Sequence, residues 1–257
     1  MSAPLPRGIE QLEVLNADEC TRVESTLEAL RPHWIRRHGL APFYTMGASN
    51  YFDIAYNPEL PYYRLAHQLN PHLREHFGWF YDRLLAVLAN RLDAPVGFSS
   101  NLALPGFHMV FHHEALARSQ DLTHLAWFRH REDPNMIGNP IHCDTPQHVV
   151  DWSEERGVDL RRTLSFTLAI TLPKVNGGLD VWDLSLKETE GVPEQELLAF
   201  IQSRPRTFHP YRAGNLALHS GMRYHQVASL ALMQPGESRI TLQGHGVFCH
   251  WRWVLYW

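Results

Sequence analysis

Three short patterns in the sequence place a histidine two positions before a carboxylate. They are His112 with Glu114, His130 with Glu132, and His142 with Asp144. In an extended segment, residues i and i+2 point to the same side, so each pair is able to hold one metal ion. The chain has 17 histidines, and about one such pair is expected by chance in a sequence of this composition. The context of each pair therefore has to distinguish between them.

His142 and Asp144 have the most favourable context of the three pairs. They precede the segment 163–172, whose alternation of small or polar residues with large apolar ones predicts a half-buried strand with a polar inner face. His112 stands at the end of an apolar strand, and His130 lies in a charged loop typical of a solvated surface. We therefore predict that His142 and Asp144 bind a metal ion. The alternative is a surface histidine followed by an aspartate that caps a turn.

A third ligand has to come from a strand that lies beside this pair in space. Two histidines and one carboxylate that leave coordination positions open form the facial triad of non-haem Fe(II) oxygenases. The residues alone leave four histidines as candidates for the third position. These are His209, His219, His225 and His245.

Arg239 and Thr241 form a second pattern able to do chemistry. They alternate with the apolar Ile240 and Leu242, so both side chains lie on one face of a predicted strand. A guanidinium group offers a carboxylate a planar two-point contact that lysine does not. The other interpretation makes Arg239 one end of a salt bridge between strands. We interpret the pair as a pocket-facing site for an acidic co-substrate.

Composition excludes some classes of partner. The 257 residues carry a formal net charge of -4 without a run of like charges, which argues against binding to nucleic acid or to an anionic membrane. Three widely spaced cysteines predict neither a disulfide framework nor a zinc site. The first residues lack the apolar core of a signal peptide, and no apolar stretch has the length of a membrane span. We expect a soluble, cytoplasmic protein.

The first hundred residues have mainly helical patterns. Asn16 and Glu19 form a capping box that predicts a helix ending near Pro32. The dipeptide Asn70-Pro71 predicts the start of a second helix, which ends before Asp93. The segment 42–53, rich in aromatic and small residues, has no helical period and is interpreted as a packed connection or a substrate-side loop.

The pattern changes to a period of two after about residue 100. The segment 113–140 is long, polar and irregular, which predicts a lid or a binding loop. Several short strands separated by turn signals favour a sandwich or a barrel. The predicted elements are the strand 163–172, the strand 179–182, a helix near 194–201, and strands at 214–219, 225–228, 238–242 and 248–257.

The second half of the chain resembles a known family. The run Gly214-Asn215-Leu216-Ala217-Leu218-His219-Ser220, followed by His225, resembles the Gly-x-Leu-x-x-Phe-x-Ser-x-x-x-His pattern of 2-oxoglutarate/Fe(II)-dependent oxygenases of the prolyl-hydroxylase type, with one spacer fewer in places. Arg239-Ile240-Thr241 resembles the Arg-x-Ser/Thr of that family, and Gly177-Gly178-Leu179 resembles its Gly-Gly-x-Leu-like turn. The resemblance covers about residues 100 to 245. One departure is His219, where the family more often has an aromatic or aliphatic residue.

The resemblance implies a fold and a set of cofactors. The fold is mainly β with flanking helices: a double-stranded β-helix of the jelly-roll or cupin type, with N-terminal helices packed on one sheet. The chain is then one domain, 1–257, with a mainly helical part at 1–98 and the β-helix core at 99–257. By the resemblance, His142, Asp144 and His225 hold Fe(II), and Arg239 and Thr241 hold 2-oxoglutarate, with O2 as the other co-substrate.

The resemblance also implies an oxidation. The usual outcome in this family is hydroxylation of an unactivated C–H bond, and Asp144 argues against halogenation, since related halogenases replace the acid with a small residue. Charged and aromatic side chains suit a small zwitterion, such as a free amino acid or an amino-acid-derived metabolite; they are Arg129, Arg131, Tyr44 and Asp53. The alternatives are a hydroxylase of protein side chains and a non-redox, cupin-like protein that binds a metal or a ligand.

Overall fold

The computed structural model describes residues 8–39, 41–54, 61–118 and 140–257. Within these ranges the chain forms four α-helices and twelve β-strands, joined by turns and short 3-10 helices. In chain order they are β1 Glu10–Glu13, α1 Ala17–Ala29, β2 Ile35–Arg36, β3 Phe43–Met46, α2 Asn50–Asp53, α3 Pro61–Leu92, β4 Val96–Phe98, β5 Gly106–Phe111, β6 Val158–Thr171, β7 Gly178–Ser185, α4 Glu194–Gln202, β8 Arg206–Pro210, β9 Asn215–His219, β10 Arg223–Val227, β11 Ser238–Cys249 and β12 Arg252–Tyr256.

The strands form two sheets. The larger has the order β1-β9-β6-β11-β5-β3-β2, with β12 pairing with both β11 and β4, and the smaller has the order β10-β7-β8. All pairs are antiparallel except β12 with β4. Ala169 and Ala217 of the larger sheet pack with Leu179 of the smaller sheet, so the two sheets face each other. This arrangement confirms the predicted jelly-roll core.

The N-terminal helices α1 and α3 cover the outer face of the larger sheet, whereas α4 packs against β7 of the smaller sheet. Val23 and Leu27 of α1 and Phe77 of α3 are fully buried in one cluster with Leu164 and Leu168 of β6. The capping box predicted at the start of α1 is present, with Asn16 accepting from the Glu19 backbone and Glu19 accepting from that of Asn16. The prediction of helices packed on one sheet is therefore confirmed.

Helix α3 begins at Pro61, not at the predicted Asn70-Pro71. Pro71 lies inside the helix, although a proline there cannot donate the backbone hydrogen bond of a helical turn. Asn70 does not cap a helix. Its side-chain amide donates to the Leu102 carbonyl at 2.9 Å and its side-chain oxygen accepts from the Leu104 backbone at 3.0 Å. The asparagine thus ties α3 to the chain that leads into β5.

The structure differs from the predicted strands in three places. The mainly helical N-terminal part contributes β1 to β4 to the larger sheet, and β3 occupies part of the segment interpreted as a loop or connection. The strand predicted as half-buried is buried on both faces in its central part, because helices cover one face and the smaller sheet the other. The segment 248–257 is not one strand but the end of β11, a turn with His250 at φ 57°, and β12.

None of the described helices combines enough length and apolar character to cross a bilayer.

Candidate metal centre

Backbone hydrogen bonds bring the predicted metal ligands together. The backbone of His142 forms an isolated antiparallel bridge with that of His225, with N–O distances of 3.0 and 2.9 Å. The Asp144 backbone N–H donates to the Gly221 carbonyl at 2.8 Å. These bonds hold the segment 142–144 against β10 and the turn that precedes it. The positions of all three side chains follow from main-chain pairing and not from long flexible loops.

The three side chains converge on one point. Each offers one ligand atom, and these atoms lie within 4.8 Å of one another. His142 Nε2 lies 3.6 Å from Asp144 Oδ1, and His225 Nε2 lies 3.4 Å from Asp144 Oδ2. Asp144 and His225 are 6% and 5% exposed. Two imidazoles and one carboxylate on a single point are the donor set of the facial triad.

Both histidines present Nε2 to this point because Nδ1 is bonded to the backbone. Nδ1 of His142 contacts the Pro140 carbonyl at 2.8 Å, and Nδ1 of His225 contacts the Arg223 carbonyl at 2.8 Å. A carbonyl oxygen only accepts, so Nδ1 carries the proton in each ring. In the neutral form of each ring, Nε2 therefore has the lone pair that a metal ion needs.

His219 has the opposite arrangement. Its Nδ1 accepts the Gly221 backbone N–H at 3.1 Å, so the neutral ring carries its proton on Nε2 and that atom is not a ligand. Its ring nevertheless lies 5.1 Å from that of His225. Among the candidates for the third ligand, the hydrogen bonds favour His225 over His219. His209 lies in β8 opposite Leu179 and does not line the cavity.

Burial and neighbouring charges set the protonation of the cluster. Burial is the main reason that the pKa of His142 falls to about 4, so this ring is neutral at pH 7. Burial acts to raise the pKa of Asp144, but His225, by charge and by hydrogen bond, outweighs it and holds that pKa well below its usual range. Burial acts to lower the pKa of His225, while Asp144 raises it to a net value above the usual one. A divalent cation bound here would neutralise the charge of Asp144 and favour the neutral form of His225.

Tyr51 and Gly221 enclose the carboxylate of Asp144. The Tyr51 hydroxyl donates to Asp144 Oδ1 at 2.6 Å. On the other side, a Cβ atom on Gly221 would lie 2.9 Å from Asp144 Cβ and 2.6 Å from Ser165 Oγ, so only glycine fits without displacement. Gly221 also has φ +75°, which favours glycine. The orientation of Asp144 is therefore fixed from both sides.

A cavity opens in front of the three side chains. Its wall combines residues from both sheets and from α2, among them Tyr51, His108, Ser165, His219, Gln243 and His245. His245 is hydrogen-bonded through Nδ1 to Ser165 Oγ at 3.0 Å. Burial is the main cause that lowers the pKa of His108 and of His245. The extra histidines of this wall are thus neutral donors and acceptors and not cations.

Arg239 and Thr241 lie on the β11 face that continues to Gln243 and His245, both of which line the cavity. Arg239 is 4% exposed and Thr241 is fully buried. Within the described part of the chain, Nε and Nη2 of Arg239 have no hydrogen-bond partner. A buried guanidinium without a counter-ion is costly, and burial lowers its pKa from the usual value. These unpaired atoms fit a carboxylate ligand such as the far end of 2-oxoglutarate.

The structure does not bring Tyr44 or Asp53 to the cavity. Tyr44 lies on the outer face of β3, with its ring centroid 5.6 Å from that of Trp34. Asp53 forms a buried two-point ion pair with Arg37, at 2.7 and 2.8 Å, and accepts the Ser49 backbone N–H as well. Both oxygens of its carboxylate therefore already accept hydrogen bonds within the protein.

The remaining predicted contacts have no place in the described cavity. Arg129 and Arg131 fall in residues 119–139, which lie outside the described residues, as does the pair His130 and Glu132. His112 and Glu114 are described but do not line the cavity.

Several residues of the site were missed by sequence reasoning. Gln243 continues the alternation of the strand predicted at 238–242, which extends along β11 to His245, a residue considered above only as a possible third ligand. Ser165 lies on the polar face predicted for the strand 163–172. Tyr51 and His108 offer no such signal. Tyr51 comes from the four-residue helix α2, and His108 is placed only by the pairing of β5 with β11.

Neither a protein-family model nor a curated protein sequence matches the chain. Solved structures do match. An N-substituted L-amino acid dioxygenase from Burkholderia ambifaria AMMD, in complex with alpha-ketoglutarate (2-oxoglutarate), is 13% identical with a TM-score of 0.52, over 97% of this chain and 86% of that one. The non-haem alpha-ketoglutarate-dependent epimerase SnoN from nogalamycin biosynthesis is 13% identical with a TM-score of 0.50, over 95% of this chain and 81% of that one. The chain has the fold of these oxygenases. The match confirms the resemblance at the level of the fold.

Proposed function

We propose that the chain is an Fe(II)- and 2-oxoglutarate-dependent dioxygenase. Its iron is held by His142, Asp144 and His225, and the co-substrate is held by Arg239 and Thr241. The observation that carries the proposal is the buried guanidinium of Arg239, two atoms of which lack a partner within the described residues, on the strand face that continues into the cavity of the three ligands.

The unpaired guanidinium separates this function from a non-redox metal site. A structural metal or a core of satisfied histidines accounts for the three ligands but leaves the guanidinium of Arg239 without a hydrogen-bond partner at Nε and Nη2 among the described residues. An unpaired buried charge destabilises a fold. A dicarboxylate accounts for both groups at once, with one end at the metal and the other at Arg239. Thr241 supplies a hydroxyl on the same face of β11.

The protein's own residues prepare the site for this reaction. His142 and His225 offer Nε2, while their Nδ1–H groups are held by backbone carbonyls. Tyr51 fixes Asp144 through Oδ1. Fe(II) with 2-oxoglutarate and O2 would supply an oxidation that converts 2-oxoglutarate to succinate and carbon dioxide and oxidises a substrate C–H bond.

For the substrate we propose a small molecule, with hydroxylation as the outcome. Free amino acids and their derivatives are the first class to screen, because the solved dioxygenase of this fold is named for N-substituted L-amino acids. Peptides with unmodified side chains belong in the same screen, since a protein hydroxylase is the competing enzyme class.

The first test is spectroscopic and does not require the substrate. Fe(II) is added to the protein under argon, and 2-oxoglutarate is then titrated while the visible spectrum is recorded. We expect a weak absorption band that His142→Ala abolishes. Arg239→Lys should weaken 2-oxoglutarate binding about 10- to 100-fold, which corresponds to the loss of about 1.5–3 kcal/mol for hydrogen bonds to a charged group.

His112→Ala is the matched control, because it alters a His-x-acid pair outside the cavity. It should leave the band unchanged. The absence of a band in the wild-type protein, together with 2-oxoglutarate binding unaffected by Arg239→Lys, would contradict the proposal. If the band forms as expected, a screened compound that stimulates succinate formation in the wild type but not in His142→Ala identifies the substrate class.

A further inference from the structure

A second group of possible metal ligands lies on helix α3. His72, Glu75 and His76 stand at positions i, i+3 and i+4, which are neighbours on one face of a helix. Their ligand atoms lie within 4.8 Å of one another. None of the three lines the cavity of the candidate metal centre.

The helix holds this group in a fixed orientation. Leu73 and Phe77 are fully buried in the main core cluster, so α3 cannot rotate to bury or separate the three side chains. The side chains of Glu75 and His76 are 72% and 37% exposed, so an ion in solution reaches them directly. The group is therefore both pre-arranged and accessible.

A second element supports the group. His33 belongs to the 3-10 turn Arg31–His33 that follows α1, and its ring centroid lies 4.2 Å from that of His72. This packing limits the rotation of the His72 ring. The contact between His76 Nε2 and Glu75 Oε2, at 3.9 Å, is an exposed ion pair of the kind that contributes little to stability. Ion pairing alone therefore does not explain why His72, Glu75 and His76 lie together.

We propose that His72, Glu75 and His76 form a second metal site, which takes a divalent transition-metal ion of the Zn2+, Ni2+ or Cu2+ class. Two imidazoles and one carboxylate suit these ions, whereas Mg2+ and Ca2+ prefer oxygen ligands. Histidines at i and i+4 on a helix are an established way to hold zinc. An ion bound only to the folded helix also stabilises it by mass action. This site does not depend on the proposed dioxygenase function.

Calorimetric titration with Ni2+ as the probe separates the two sites. The full-length protein, without an affinity tag, is compared with His142→Ala, with His72→Ala/His76→Ala, and with the triple variant. We expect two binding events in the wild type and one in each of the first two variants. The triple variant should show none.

Failure of each site gives a different result. A wild-type protein with one event that His142→Ala removes would overturn the helix site and leave the dioxygenase site intact. One event that persists in His142→Ala and disappears in His72→Ala/His76→Ala would do the reverse. Glu75→Gln should weaken the helix event at least several-fold, and His67→Ala, on the same helix, should leave it unchanged. Circular dichroism of each variant checks that α3 still folds.

Discussion

The hydroxyl of Tyr51 donates to Oδ1 of Asp144, while Oδ2 of the same carboxylate lies 3.4 Å from Nε2 of His225. The tyrosine comes from α2, whereas the three proposed metal ligands come from the second half of the chain. Hydrogen bonds from such partners commonly change metal affinity 10- to 100-fold. The orientation of Asp144 thus depends on a residue that is not itself a ligand.

We predict that Tyr51→Phe lowers the affinity for Fe(II) or Co2+ about tenfold without unfolding the protein. The phenyl ring keeps the edge-to-face packing against His245, whose centroid lies 5.3 Å away, and only the hydrogen bond is lost. Anaerobic Co2+ titration followed by absorbance gives the affinity. Tyr63→Phe removes a hydroxyl that accepts the Asp151 backbone N–H instead, so it serves as the control. Equal affinities for wild type and Tyr51→Phe would show that the contact does not position the ligand.

Gly221 gives a second test at the same scale. Gly221 and Gly236 share a left-handed backbone, with φ +75° and φ +82°. A Cβ atom would collide with Ser165 and Asp144 at Gly221 but would meet nothing within 4 Å at Gly236. Gly221→Ala should displace Asp144 and lower metal affinity at least tenfold. Gly236→Ala should cost about 1–2 kcal/mol of stability from the backbone alone and leave metal binding unchanged. Metal titration and urea unfolding of both variants measure the difference, and metal affinity retained in Gly221→Ala would show that the close approach is tolerated.

At the scale of the elements, Asn70 connects α3 to the chain before β5. Both ends of its amide are bonded to backbone, at Leu102 and Leu104. We predict that Asn70→Ala lowers the free energy of unfolding by about 1–3 kcal/mol, because buried backbone groups lose their partners. Asn90→Ala, at an exposed position of the same helix, should change stability by less than about 0.5 kcal/mol. Urea denaturation measures both, and equal losses would mean that the Asn70 bonds contribute nothing specific.

The sequence predicted those elements whose local pattern agrees with their tertiary surroundings. Helix α1 carries its own capping box, and the core strands carry a period of two. The predicted start of α3 is wrong because Pro71 lies in the interior of the helix and not in its first turn. Tyr62, Ala66 and Leu69, which precede it, already pack in the core. The turn at His250 was missed since no glycine or proline marks it.

The residues of the candidate site also differ in how far a local sequence pattern predicts them. His142 with Asp144 and Arg239 with Thr241 are i, i+2 pairs, so the sequence alone placed each pair on one face. The convergence of His142 and Asp144 with His225 could be predicted only from the family resemblance, because it results from pairing between distant segments. The ion pair of Asp53 with Arg37 could not be predicted, because the aromatic sequence around Asp53 does not indicate that the partner of its charge lies within the protein.

At the scale of the whole molecule, buried neutral histidines couple stability to pH. Burial is the largest cause that lowers the pKa of His142 to about 4 and that of His219 to about 3, against a usual value of 6.5. Between pH 6.5 and about 4 the unfolded chain therefore binds protons that the folded chain does not. The free energy of unfolding must fall as pH decreases through this window. His225, whose pKa is raised, acts in the opposite direction above pH 6.5.

We predict that the metal-free protein loses up to about 1.4 kcal/mol per pH unit for each such histidine below pH 6.5. Urea unfolding at a series of pH values gives the slope. His219→Gln should make the slope shallower, because glutamine does not titrate but retains an acceptor for the Gly221 N–H. A slope unchanged by this substitution would show that His219 is not the group that couples stability to pH.

The bridge between His142 and His225 also has a consequence for the order of folding. It joins segments far apart in sequence, whereas the backbone hydrogen bonds within α1 and α3 join residues one helical turn apart. Contacts between distant segments form slowly because the intervening chain must first be closed into a loop. The metal ligands meet only after that loop has closed. We therefore expect metal uptake at the proposed site to be a late event in refolding, with a time course that reports the completion of the β-helix and not the appearance of the helices.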